Sequence, residues 1–126
     1  MKRVLFLMIV LCMAGIVSAQ QKEASITVTG SAVHDFGEIK ESDGAISHTF
    51  KVMNNGELPL VISRVVGSCG CTTPEWTQEP IAPGKTGDIK VTYHTAGRPG
   101  PFNRTVSVYS NGKTGNYVLT VKGDVK

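Results

Sequence analysis

The stretch Gly67-Ser68-Cys69-Gly70-Cys71-Thr72 sets two thiols one glycine apart, and three kinds of chemistry fit that spacing. As thiolates, Cys69 and Cys71 form a soft clip for Cu(I) or Zn(II), but two sulfurs fill at most half of a tetrahedral shell. The other ligands then come from His34, His48, His94 or Met53, or from a second chain, and Cys69, Cys71 and His48 make the candidate metal set. As a disulfide, the pair needs Cα atoms about 4.4–6.8 Å apart. An extended Cys-Gly-Cys must bend to meet that, and Gly70 has the backbone freedom for it. So small a ring removes little entropy from the unfolded chain, and a strained bond is readily reduced. The plain alternative is structural: two small apolar side chains buried at the base of a loop. The local sequence offers no helix N-terminus and no neighbouring Lys or Arg to lower a thiol pKa.

Elsewhere the chemistry thins out. His48 falls on the apolar face of an alternating run, where a hydrogen-bonded core histidine is the ordinary occupant. His34-Asp35 has the composition of a base and its orienting acid, but adjacent residues on an extended segment face opposite ways. No GxSxG elbow occurs, and Gly97-Arg98-Pro99-Gly100-Pro101 lacks the GK[ST] ending of a phosphate loop. The sequence predicts no catalytic residue, no cofactor-binding residue and no cofactor, hence a protein that is not an enzyme.

The chain that positions these residues opens with a leader. Lys2 and Arg3 precede an apolar run from Val4 to Val17, and Val17-Ser18-Ala19 supplies small residues for cleavage after Ala19. Residues 1–19 therefore read as a signal peptide, and the product as periplasmic or secreted. Lipidation at Cys12 is disfavoured by the bulky Leu11 before it. Cleavage removes Lys2, Arg3 and Cys12, so the charge falls from +3 to +1 and only Cys69 and Cys71 remain. Scattered basic residues give no footprint for nucleic acid. A remainder of about 100 residues supports one hydrophobic core and no more. No membrane span is expected after cleavage.

Period-two patterns run through that remainder. Residues 24–30 alternate around Ile26 and Val28, and residues 33–39 are extended on Val33, Phe36 and Ile39. Residues 46–53 set Ile46, His48, Phe50 and Val52 on one face; Asn54-Asn55-Gly56-Glu57 then reads as a tight turn. Residues 58–66 form a strand with Pro59 outside its ladder, and residues 67–76, with Trp76, form a loop. Three further strands centre on Ile89-Val91-Tyr93, Val106-Val108 and Leu119-Val121. The fold class is all-β, an immunoglobulin-like sandwich of about seven antiparallel strands. Residues 20–32 form an N-terminal extension with the first strand, and residues 33–126 the sandwich domain.

In order, HDFGEI (34–39), HTFKVMNNGELPLVI (48–62), GSCGCTTPEW (67–76), IAPGKTGDIKVTY (81–93), GRPGPFNRTVSVYSN (97–111) and LTVKGDV (119–125) resemble the DUF1573 family. These are exported bacterial domains related to the Ig-like domains of the major-sperm-protein and ASH type. The resemblance covers residues 33–125, and SCGCT is its most specific part. His94 departs from it, standing where the family often has an acidic residue. It implies a non-enzymatic binding or structural module of the cell envelope, with a protein or envelope component as partner. The alternative is a thiol-site protein in which Cys69 and Cys71 bind a soft metal or cycle as a disulfide.

Overall fold

Apolar residues at every second position give a strand one dry face, and β3 (Ala45–Asn54) is the clearest case, burying Phe50, Val52 and Asn54. The computed structural model describes residues 22–126. Along its length β3 pairs antiparallel with β6 (Thr86–His94), whose Ile89, Val91 and Tyr93 point the same way. With β1 (Ile26–Val28) and β5 (Thr72–Trp76) they form one sheet, ordered β1-β3-β6-β5. The second sheet is ordered β2-β8-β7-β4, from β2 (Val33–Ile39), β8 (Asn116–Val125), β7 (Gly100–Ser110) and β4 (Ile62–Gly67). Val106 and Val108 on β7, with Leu119 and Val121 on β8, complete the core. The Tyr93 and Phe102 rings stack across the gap at 3.9 Å. The all-β sandwich predicted from the alternation is the observed architecture.

The chain passes between sheets at both lateral margins. On one side β1 pairs antiparallel with β3; the chain then turns at Gly30, φ 94°, and β2 pairs with β8. A strand that changes sheets keeps its direction but gains a new neighbour, so β2 lies parallel to β8. Among the described residues the sandwich thus has eight strands with one parallel strand pairing, where about seven antiparallel strands are expected. On the other side, Ser68 to Cys71 carries the chain from β4 to β5.

This second crossing corrects the reading of residues 67–76 as a loop. Only the turn between Gly67 and Thr72 is irregular, and Trp76 ends a strand. Pro74 disguised it. The His94 N–H donates to Cys71 O (2.9 Å) and the Thr77 N–H to Asp88 O (3.0 Å), so odd-numbered residues of β5 bond to β6. Pro74, in the even set, aims its donorless nitrogen at the free edge, the one place a strand tolerates it. The preceding strand is shorter than residues 58–66: Leu60 makes an isolated bridge to Ile81, and the register slips between Ile62 and Arg64.

Asn54 is a clamp, not a turn residue. Fully buried, its Oδ1 accepts from Ser25 N and Gly56 N, and its Nδ2 donates to Leu58 O (2.6 Å) and Ile81 O (2.9 Å). Residues 1–19, including Cys12, lie outside the described residues. Among the described residues no helix is long and apolar enough to cross a membrane.

Candidate functional site at the Cys69–Cys71 arch

The arch is pinned by backbone bonds at both ends. Ser68 N–H donates to Thr105 O (3.0 Å), continuing the β4–β7 ladder past Gly67. Thr72 then donates twice to Cys69 O, from its N–H (3.3 Å) and from Oγ1 (3.2 Å). A Cβ on Gly67 would collide with that Thr72 hydroxyl, so the close approach of β4 to β5 admits only glycine there. Gly70, the residue expected to permit the bend, has no positive φ and open space around its Cα. The bend is made by the Cys69–Thr72 turn.

Within this turn the structure joins the Cys69 and Cys71 sulfurs, with Cα atoms 5.3 Å apart. That separation lies inside the range a disulfide spans. Cys71 is 3% exposed, whereas Cys69 is half-buried against the core. Outside the arch, His94 Nε2 shares a hydrogen bond with Thr73 Oγ1 (2.9 Å), and Arg98 Nη1 donates to His94 O (3.3 Å).

A charged residue that the alternation already sets among the inward-facing positions of its strand stands across from Cys69. The register Val65↔Val108, Val66↔Ser107, Gly67↔Val106, extended by the Ser68–Thr105 bond, sets Arg104 opposite Cys69. Arg104 alternates with the buried Phe102 and Val106, so it faces inward. Its Nε is buried and has no hydrogen-bond acceptor among the described residues. Trp76 Nε1 is the other such donor. An unpaired buried donor of this kind costs about 1–3 kcal/mol. The signal was in the sequence: Arg104 shares the parity of Phe102, Val106 and Val108.

The candidate metal set is not assembled. His48 lies on β3, separated from β5 by the whole of β6 and level with Pro74, so the arch is further away than two strand spacings, or ~10 Å. Its ring stacks on His34 of the opposite sheet at 3.6 Å and 5°. Phe50 meets His48 edge-on and Phe36 meets His34 edge-on, so four rings close the β2/β3 margin. His48 is therefore a cross-sheet stacking partner, not a hydrogen-bonded core residue. Burial, and then the charge His34 carries when protonated, hold its pKa below the ordinary 6.5. Asp35 faces away from this stack and accepts Gly37 N–H at 2.8 Å, so His34-Asp35 is no catalytic pair. Met53 sits at the β1 end of β3, opposite Thr27 and Thr86. Among the described residues, no three His, Cys, Asp or Glu side chains gather as a metal site.

Solved structures share this sandwich. A protein of unknown function from Porphyromonas gingivalis W83 superposes with a TM-score of 0.70 at 17% identity, over 86% of this chain and 50% of that one. This chain thus spans half the length of that protein. The ASH/PapD-like domain 7 of human CEP192 matches with a TM-score of 0.66 at 5% identity, over 87% of this chain and 91% of that domain. The YadV chaperone matches at 0.54 and 14% identity, over 81% and 51%. Some neighbours are enzymes: the Vibrio cholerae protease VesB matches at 0.59 and 14% identity, over 82% of this chain but only 32% of its own. At such identities the likeness is one of fold. No curated protein sequence matches. The family model for proteins of unknown function designated DUF1573 matches residues 18–125, a span that takes in both sheets and the arch between them. The chain belongs to the DUF1573 family.

Proposed function

We propose that the chain, cut after Ala19, is an exported, non-enzymatic Ig-like binding module of the cell envelope that docks a protein on the outer face of β2-β8-β7-β4. One observation carries this reading. On that face Val33, Val66 and Val118 are 45%, 45% and 48% exposed, where a strand's solvent side is ordinarily polar. The register sets Val118, Ser107 and Val66 in one row across three strands, with Val33, Thr120 and Thr105 in the next. Beside them Arg64 stacks over the Tyr109 ring at 4.3 Å, the residue types that dominate protein contacts. The outer face of the other sheet is charged instead, with a Lys51–Asp88 ion pair and Glu75 opposite Lys90.

The partner's surface is apolar at its centre and carries a carboxylate for Arg64. Its PapD-like fold places the chain among architectures that include a chaperone, which supports a protein partner over a small substrate. The test is a photoreactive amino acid placed at Val118, or at Thr92 on the charged face, in cells producing the protein. A discrete protein adduct from position 118 that Val66→Glu abolishes is expected. Equal adducts from both positions, or none from 118, would overturn the reading.

A further inference from the structure

We infer that the Cys69–Cys71 bridge is a thiol–disulfide exchange site, with Arg104 as the charge that stabilises its thiolates. The site lies at the β4/β5 margin, so this inference does not depend on the docking face. It rests on three observations.

The bridge does little for the fold. It closes a ring between residues two apart, the least effective way to constrain an unfolded chain. The arch is already held by the Ser68–Thr105, Cys69–Thr72 and Cys71–His94 bonds. Opening the bridge leaves every one of these in place.

The two sulfurs are unequal. Cys69 is half-buried and Cys71 is sealed, so an incoming thiolate reaches Cys69 Sγ and Cys71 is the leaving sulfur. A thiolate leaving into an apolar core would be costly without a cation beside it.

A cation stands opposite the arch, and one of its donors lacks an acceptor. Arg104 stands opposite Cys69 in the extended register, faces inward, and keeps a buried Nε–H unpartnered. The closed disulfide offers it only a weak acceptor; a thiolate at the arch offers a charged one. A thiolate at the arch is thus the stronger acceptor for a donor that the oxidised state leaves unpaired. This raises the bridge's tendency to accept electrons, since stabilising the reduced form makes a disulfide more oxidising.

The exchange balances as follows. The thiolate of an external thiol attacks Cys69 Sγ, the Cys69–Cys71 bond breaks, and Cys71 departs as a thiolate. A second external thiolate attacks the external sulfur of the mixed disulfide. That releases the external disulfide and frees Cys69 as a second thiolate, and both thiolates then equilibrate with solvent protons. Two electrons pass from two thiols into the protein. The substrate class is a thiol, either a low-molecular-weight one or a paired cysteine of another exported protein.

The test incubates the purified protein in glutathione redox buffers, quenches with an alkylating agent, and counts modified cysteines by mass. The bridge is expected to open within that range, with the far-ultraviolet circular dichroism unchanged. In the reduced protein, Cys69 should alkylate first, with a pH midpoint below the ordinary thiol value of about 8.5. Arg104→Met should raise that midpoint by about one pH unit, roughly a tenfold loss of thiolate at neutral pH, and Arg104→Lys should restore most of it. A bridge that resists glutathione until the fold is lost would overturn the proposal. So would a midpoint equal in the native protein and Arg104→Met. Replacing glutathione by a reduced dithiol peptide separates the two substrate sources: faster opening by the dithiol assigns the site to protein thiols, and equal rates assign it to small ones.

Discussion

The two lateral margins of the sandwich face the same problem, because at each the chain leaves one sheet for the other and the core must be closed behind it. At the β4/β5 margin the crossing is short, and closure is by backbone bonds and a sulfur bridge. At the β2/β3 margin the crossing turns at Gly30, and closure is by a stack of two imidazoles between two phenylalanine edges. The first margin is tight, admitting no Cβ at Gly67. The second is open enough that His34 and His48 are only half-buried. The difference teaches that closing a sandwich edge needs filled space and paired backbone, not a particular chemistry. Each solution leaves its own sensitivity: to thiols at one margin, on the inference drawn above, and to protons at the other, through His48.

Substitutions can break this contrast. The largest effect is expected from Gly67→Ala, whose methyl group meets the buried Thr72 side chain where neither strand can retreat. A loss of about 3 kcal/mol in urea unfolding is predicted. Next come His34→Ala and His48→Ala, each predicted to cost about 1–2 kcal/mol. Their double-mutant cycle should return a coupling near 1 kcal/mol, as for other stacked rings; strict additivity would mean the stack does not close that margin.

The proton response follows from the same stack. His48 titrates below its ordinary 6.5 in the folded chain, so the unfolded chain binds the proton more readily. The stability this contributes is complete above about pH 6.5 and is lost as pH falls through the folded value. Thermal unfolding should show a falling Tm across that window, and His48→Gln should flatten the fall. The smallest effect is reserved for Gly70→Ala. With open space and no positive φ at that position, a change within about 0.5 kcal/mol is expected, despite the glycine's place between the cysteines.

Much of the fold was legible because alternation is local. Phe50 and Val52, Ile89 and Val91, or Leu119 and Val121 declare a dry face from neighbours two residues apart. What escaped was whatever depends on distant partners. β5 hid behind Pro74, which forbids a central strand but suits an edge, and no local pattern tells an edge from a loop. The parallel pairing of β2 depends on a partner at the other end of the chain. Asn54 reads as a turn former by type, yet its amide is consumed by four backbone groups in three segments. At the candidate site, the cysteines were plain and the inward parity of Arg104 was legible, but its place opposite Cys69 needed the β4–β7 register, and His48 found His34 across the sandwich instead of the thiols.

The parallel strand also sets an order of events in time. β2 is among the first of the described strands to be synthesised, whereas β8, which flanks it from Val33↔Thr120 to Ile39↔Val125, is the last of them. Until those closing residues emerge, β2 has no strand to pair with and His34 has nothing to hold it over His48. The β2-β8-β7-β4 sheet therefore closes only after β8 has been made, a long-range pairing of the kind that slows folding.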